Sequence, residues 1–349
     1  MFGSPELPSV PFADALQGGA ALAAVAEQPE PMPVRHDSPV VVTGASGFVG
    51  THTCRALARA GWSVRAIVRD PAKAAGRLAD LPCELKVGDI RDVAFLRSTM
   101  AGAGAVVHLA AIAIERPGQS YESVNRDATR TVLDAAIAAG VDRFVHMSQN
   151  GSDSQSPYRF LRSKGEAQNM VTGSALRWTV FRPSVIFGPE DEFVNVLARL
   201  VRLTPLLFPL PGGGTARFQP VAVEDVAQAV QRALDREDTV RGMYSLGGPV
   251  PLTLRQMAER ILTAMQARRT IVGVPIPVIR PLIALMQRVL PKPPVTTSLL
   301  ELLSIDNTTP DNALTTVFGM TPTPFAPEEL LYLREISARE ALGSLWGKG

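Results

Sequence analysis

Thr43-Gly44-Ala45-Ser46-Gly47-Phe48-Val49-Gly50 is the stretch that decides the fold. A run of three valines at 40–42 reads as a short buried strand before it, and 50–60 reads as a helix that Gly61 stops. Glycines placed between a strand and a helix meet the requirement of a dinucleotide-binding loop. Gly44 permits the tight turn, Gly47 lets backbone amides approach a pyrophosphate, and Gly50 allows the helix to pack closely on the sheet. The helix N-terminus adds unpaired N–H groups and a partial positive charge at the same place. A glycine triplet alone is weak; the flanking strand and helix lift it above a plain turn.

Working outward, 63–68, 84–87, 105–109, 143–147 and 178–182 read as strands, and 123–139 and 162–172 as helices. Their alternation through short turns predicts a parallel sheet covered on both faces. The expected class is α/β, a Rossmann-type doubly wound parallel sheet with a smaller α/β C-terminal domain. Residues 1–38, broken by prolines, are expected as an arm, 39–186 as the nucleotide-binding domain with strand contributions from later residues, 187–335 as the smaller domain and 336–349 as a tail.

Composition excludes several classes. Charged residues at 19% and apolar ones at 46% of 349 residues are not those of a disordered chain. A net charge of +2 argues against a general nucleic-acid binder. Cys54 and Cys83, the only cysteines, make no disulfide scaffold, and no Cys/His cluster has zinc spacing. The best candidate for a membrane span, 273–290, holds Arg280, Arg288 and three prolines and is too interrupted to cross a bilayer. The Ala-rich stretch at 20–26 faintly resembles a signal core, but Glu6 and Asp14 precede it and no basic residue does, so an uncleaved, cytosol-facing arm is expected.

The Gly-x-x-Gly-x-x-Gly spacing resembles the short-chain dehydrogenase/reductase superfamily in its extended or atypical branch. Gly88-Asp89-Ile90, His108-Leu109-Ala110-Ala111, Asn125, Ser148 and the run Arg182-Pro183-Ser184-Val185-Ile186-Phe187-Gly188 match that superfamily in order. The resemblance implies a nicotinamide cofactor held by Gly44, Ser46, Gly47, Phe48, Val49, Gly50, Arg69, Asp89, Ile90, Leu109, Ala110, Ala111, Ser148, Lys164, Pro183 and Ile186.

Arg69 stands where an acidic residue would select NAD(H) by bonding the adenosine ribose. A guanidinium there pairs with a 2′-phosphate, so NADP(H) is preferred. Asp70, one residue on, keeps NAD(H) open.

An active member of the superfamily needs Tyr-x-x-x-Lys, the tyrosine exchanging the proton and the lysine lowering its pKa. Lys164 is present, but Phe160 stands four residues before it and has no proton to give. Tyr158 is two residues too early, roughly 200° away on a helix, and would serve only if the helix starts later and the chain before it is extended. Asn150 stands where an active relative has Ser or Thr, and Ser152 is a poor substitute. No catalytic residue is assigned, Tyr158 and Asn150 being the candidates for a variant site.

Further runs mark one subgroup: Phe187-Gly188-Pro189-Glu190-Asp191-Glu192-Phe193, the segment 209–221, Val223-Glu224-Asp225-Val226-Ala227, Leu246-Gly247-Gly248-Pro249 and Asp306-Asn307. With Leu161-Arg162-Ser163-Lys164-Gly165-Glu166, they are similar to the NAD(P)H-binding accessory subunit of respiratory complex I and its bacterial relatives. That resemblance implies a nucleotide kept for structure within a respiratory NADH:quinone oxidoreductase. It also implies a peripheral place on the cytoplasmic side of the bacterial inner membrane, or on the matrix side. Over 281–290, Leu282, Leu285, Met286, Val289 and Leu290 fall on one helical face beside Arg280 and Arg288. A membrane or partner contact through 279–290 is one reading, and a helix capping the small domain is the other. Arg217 and Asp225 invite a substrate-site reading, against which an internal ion pair or cap is preferred. A reductase or epimerase with a variant site, and a nucleotide-ratio sensor binding protein partners, remain as alternatives.

Overall fold

The computed structural model describes residues 38–290, 293 and 295–345. The expected arm, Ser38 apart, lies outside the described residues, as do the Ala-rich stretch and His36 within it. The glycine loop joins β1 (Val40–Thr43) to α1 (Phe48–Arg59). Then follow β2 (Val64–Val68), α2 (Pro71–Leu78), β3 (Cys83–Val87), α3 (Val93–Met100) and β4 (Ala105–His108). One π-helical stretch, Glu122–Asp127, opens α4 (Ala128–Ala138), so the helix expected from 123 begins with a wider turn. Next come β5 (Arg143–Met147), α5 (Arg159–Thr172), β6 (Arg177–Pro183), β7 (Ile186–Phe187), α6 (Val194–Leu203), β8 (Leu207–Pro211), β9 (Arg217–Phe218) and β10 (Val221–Ala222). The chain closes through α7 (Val223–Leu234), β11 (Gly242–Leu246), β12 (Leu252–Thr253), α8 (Leu254–Ala264), β13 (Thr270–Val274), α9 (Ile276–Val289), α10 (Thr297–Leu302), α11 (Ala313–Thr316) and α12 (Ala338–Leu345).

Seven strands form one parallel sheet in the order β11-β6-β5-β4-β1-β2-β3. All four residues of β1 are buried, as a central strand covered on both faces requires. At the edge, β3 leaves Leu85 and Val87 exposed. One face packs Cys54 and Leu57 of α1, Leu78 of α2, and Val226 and Val230 of α7. The other packs Leu96 and Met100 of α3, Val132 and Ala136 of α4, and Val171 of α5. Each such Leu or Val contributes about 1.5–3 kcal/mol by leaving water.

Arg143, 6% exposed, welds this arrangement. It donates to the Arg177 carbonyl (2.7 Å), Thr179 Oγ1 (2.6 Å), the Ala233 carbonyl (2.9 Å) and Thr239 Oγ1 (2.9 Å), joining β5, β6 and α7. Burial lowers its pKa to about 10.

The smaller core gathers Leu197 and Val201 of α6, Phe208 and Leu210 of β8, and Met257 and Ile261 of α8, with Leu330 and Leu333. Within the residues set apart as a tail, α12 packs on α6. In α9 the expected apolar face is exposed in part. Ile283 is buried and Met286 and Leu290 are half-buried, while Val278, Leu282, Leu285 and Val289 are each more than half exposed, from 57% to 65%. Among the described residues no helix is long and apolar enough to cross a membrane.

Candidate nucleotide-binding site

A parallel sheet puts the carboxyl ends of its strands along one edge, where doubly wound folds bind ligands. The candidate residues converge there: 44–50 follow β1, Arg69 follows β2, Asp89 and Ile90 follow β3, 109–111 follow β4, Ser148 follows β5, and Pro183 ends β6.

The loop is shaped by contacts only glycine allows. Gly44 has φ +70°, and a Cβ on it would lie 2.9 Å from the Ala110 backbone, so the β1–α1 turn presses on the β4 loop. A Cβ on Gly50 would fall 2.1 Å from the Gly44 carbonyl oxygen. Helix α1 begins after Gly47 with no side-chain cap and no acidic residue in its first turn. Among the described residues, no acceptor faces the amides of Phe48, Val49 and Gly50. These free donors suit a pyrophosphate.

At the adenosine end, Arg69 is exposed and forms no ion pair among the described residues. Asp70 turns its Oδ1 to the amides of Ala72 (3.0 Å) and Lys73 (3.1 Å), capping α2. The Asp89 carboxylate is gripped by Arg91 at 3.0 and 2.7 Å, a hydrogen-bonded pair that holds its pKa below the usual carboxylate range. Sequence reasoning missed Arg77 of α2, which donates to the Ser46 carbonyl (3.1 Å) and pairs with Glu190. No spacing in the sequence announces a contact made by one long side chain across the loop.

At the nicotinamide end lies a set of buried bases. The Thr43 hydroxyl accepts from the amides of Leu109 (3.2 Å) and Ala110 (3.3 Å), and so donates to His108 Nδ1 at 2.7 Å. His108 Nε2 then carries the proton given to Thr129 Oγ1 at 2.9 Å, and Thr129 donates to the Asn125 carbonyl at 2.6 Å. Burial, reinforced by the Lys164 charge, lowers His108 to about 3, so it stays neutral. His146 stacks on it at 5.5 Å with both ring nitrogens unpartnered. Its pKa is also pushed far down, chiefly by burial. Both histidines are packed rather than metal-binding, and among the described residues no metal cluster forms.

Lys164 of α5 is buried, its Nζ donating to the Met147 carbonyl at 2.5 Å, and burial lowers its pKa to about 8. The buried Ser148 Oγ, Ser152 Oγ and Arg182 Nε also lack partners. Orphaned polar atoms are rare in folded interiors. Ser148 and Ser152 past the end of β5, with Arg182 on β6, fit a polar ligand such as the ribose and amide of a nicotinamide.

Phe160 stands on α5 four residues before Lys164, edge-on to Tyr121 at 5.6 Å. Tyr121 gives its hydroxyl to the Ala113 carbonyl (2.9 Å) and is not a substitute donor. The expected helical rotation of Tyr158 is corrected: it is the extended N-cap of α5 (φ −85°, ψ 116°), outside the helical part. Tyr158 and Phe160 line the same cavity of about 270 Å³, closed by Ser298 and Glu301 of α10. Asn150 is taken up by the smaller core's loop, its Nδ2 donating to Asn307 Oδ1 (2.8 Å) and the Thr308 carbonyl (2.9 Å). Ile186 sits in β7, and Arg159 bridges Glu115 (2.8 Å) and Glu122 (2.9 Å), fixing the β4 loop to α5. Arg217 and Asp225 do not pair with each other; Arg217 meets Asp306 (3.4 Å) and Asp225 caps the Thr323 amide (2.7 Å).

A family model described as NAD(P)H-binding matches residues 44–237, which run from the glycine loop through α7. The chain belongs to that NAD(P)H-binding family. Among its relatives is NADH dehydrogenase (ubiquinone) 1 alpha subcomplex subunit 9, mitochondrial, of Arabidopsis thaliana, 31% identical over 79% of this chain and 69% of that protein. Ceramide reductase of Caulobacter vibrioides is 34% identical over 54% of this chain and 58% of its own length. The fold is shared with an epimerase from Methanothermobacter thermautotrophicus, TM-score 0.68 at 18% identity, covering 85% of this chain and 91% of that one. The expected Rossmann-type α/β architecture thus holds for this family member.

Proposed function

We propose that this family member is an accessory subunit of a respiratory NADH:quinone oxidoreductase, holding NADP(H) without ordinary hydride-transfer turnover. The observation that carries the reading is Phe160. The loop amides and Lys164 suited to a nucleotide are kept, while Phe160, which has no hydroxyl, stands four residues before Lys164. Asn150, engaged with Asn307 and Thr308, adds no proton relay. The similarity to the plant subunit supports the respiratory partner.

NADP(H) is favoured over NAD(H) because Arg69 is free for a 2′-phosphate while Asp70 spends its carboxylate on α2. The subunit is placed peripherally, on the cytoplasmic side of a bacterial inner membrane or the equivalent matrix side. The exposed apolar face of α9 beside Arg280 and Arg288 supports contact with a membrane subunit or anionic lipid.

A second reading is a reductase with a variant site. It is favoured by Tyr158 reaching the cavity beside Phe160 and by the ceramide reductase relative, whose name points to a lipid substrate. In this reading α9, packed on α10 at that cavity, is the approach for a lipid carbonyl compound.

Tagged chain expressed in its native host is the test. Stoichiometric copurification with oxidoreductase subunits, and no NADPH consumption by the isolated chain with ketone lipids, is the expected result. Turnover abolished by Tyr158→Phe, with no copurification, would establish the second reading instead.

A further inference from the structure

The only two cysteines of the chain come from different elements, Cys54 from the middle of α1 and Cys83 from the first residue of β3. The fold brings them to the same face of the sheet, Cys54 within the buried cluster and Cys83 packed against it. Cys54 is fully buried, whereas Cys83 is partly open to solvent. The neighbouring Arg55–Asp80 ion pair, at 3.6 Å, holds the same two segments side by side. Neither sulfur has a part in the nucleotide site described above.

We propose that Cys54 and Cys83 are a reversible thiol pair that closes to an intramolecular disulfide by exchange with a low-molecular-weight disulfide of the glutathione type. Cys83 is the entry point because it is the accessible sulfur, and the neighbouring Cys54 thiol holds its pKa below, and Cys83 holds that of Cys54 above, the ordinary thiol value. Its thiolate attacks one sulfur of the small disulfide, whose S–S bond breaks, and one small thiol leaves with the proton Cys83 gave up. The buried Cys54 then attacks the Cys83 sulfur of the mixed disulfide. The second small thiol leaves and takes up the Cys54 proton. Two protein thiols are oxidised by two electrons, and the small disulfide is reduced to two thiols.

The location gives the bond a consequence. In the sheet, β3 is an edge strand that pairs only with β2. Its end carries Asp89 and Ile90, and the N-terminus of α1 carries the free loop amides. A Cys54–Cys83 bond staples the adenosine-side strand to the phosphate-binding helix. This inference stands whether or not the chain is a respiratory subunit.

The full-length protein is equilibrated in oxidised and reduced glutathione of varied ratio, quenched with iodoacetamide and weighed intact, then mapped by peptide. The wild type is expected to lose the mass of two hydrogens, with residues 54 and 83 cross-linked and neither alkylated. Its melting temperature should rise by several degrees. Cys54→Ser should stop with one glutathionyl group on Cys83, and Cys83→Ser should stay unmodified because Cys54 is buried. Both variants should still melt cooperatively when reduced. Glutathionylated Cys83 accumulating in the wild type without closure, or dimers cross-linked through Cys83, would overturn the proposal.

Discussion

Replacing Lys164 by methionine should make the nucleotide-free protein more stable while weakening its grip on nucleotide. The ammonium lies wholly inside, and burial lowers its pKa from 10.5 to about 8. Since a tenfold change in proton affinity is worth about 1.4 kcal/mol, this fall amounts to on the order of 3 kcal/mol against folding at neutral pH. Methionine removes that cost but orphans the Met147 carbonyl, which now accepts from Nζ, costing about 1–2 kcal/mol. The net gain is roughly 1–2 kcal/mol, or a rise of about 2–4 °C in Tm. The pH dependence has a definite sign. Between about 8 and 10.5 the unfolded chain holds a proton the folded chain has released, so wild-type stability from this group rises with pH across that window. Urea unfolding of both proteins at pH 7, 8.5 and 10 measures it, and the advantage of Lys164→Met should shrink with pH. A variant less stable than wild type at pH 7, or a gap that ignores pH, would refute the reasoning. Calorimetric titration with NADPH should show affinity falling by an order of magnitude or more, from loss of the cation beside the ribose site.

Other outcomes follow from the same contacts. Arg69→Ala should weaken NADPH binding by roughly 10- to 100-fold, the value of a charge-assisted bond, and leave NADH binding unchanged; equal losses in a fluorescence titration would remove Arg69 from the 2′-phosphate. Arg143→Met should lower unfolding free energy by about 3–5 kcal/mol, because its four acceptors on β6, on α7 and at Thr239 lose their donor, as denaturant midpoints will report. Burial keeps His108 and His146 neutral below 6.5, so their contribution to stability is lost as pH falls from there. Each should cost about 1.4 kcal/mol per pH unit, and His146→Leu, which breaks no hydrogen bond, should lower the acid slope between pH 6 and 5 by about that amount. An unchanged slope would mean that His146 is solvated.

The nucleotide loop was the most legible part of the site because its signal is backbone geometry. Gly44 and Gly50 are required by close approaches within a few residues or to the next strand. Strand periods were legible for the same reason: β5 matches the expected 143–147 residue for residue. The start of α5 was not. Tyr158 and Phe160 differ by two residues, and only the position of the N-cap decides that both reach one cavity instead of opposite helix faces. The outward face of α9 was legible in part: Leu282, Leu285 and Val289 of the expected face are exposed, while Met286 and Leu290 are half-buried and Ile283 is buried, because local periodicity does not say how wide the covered side is.

By itself the sequence determined the fold class, the pyrophosphate loop and the absence of a tyrosine four residues before Lys164, since each depends on residue type and short spacing along one strand–turn–helix unit. A strand contribution from later residues was expected; tertiary structure decided that it is β11, and that α7 covers the sheet. It also decided that Asp70 caps α2, that Arg77 reaches Ser46, that Asn150 is held by Asn307, and that Cys54 meets Cys83. These are choices among partners for a side chain that has several within reach. They are settled by which surfaces the packed core brings together, which no short stretch of sequence specifies.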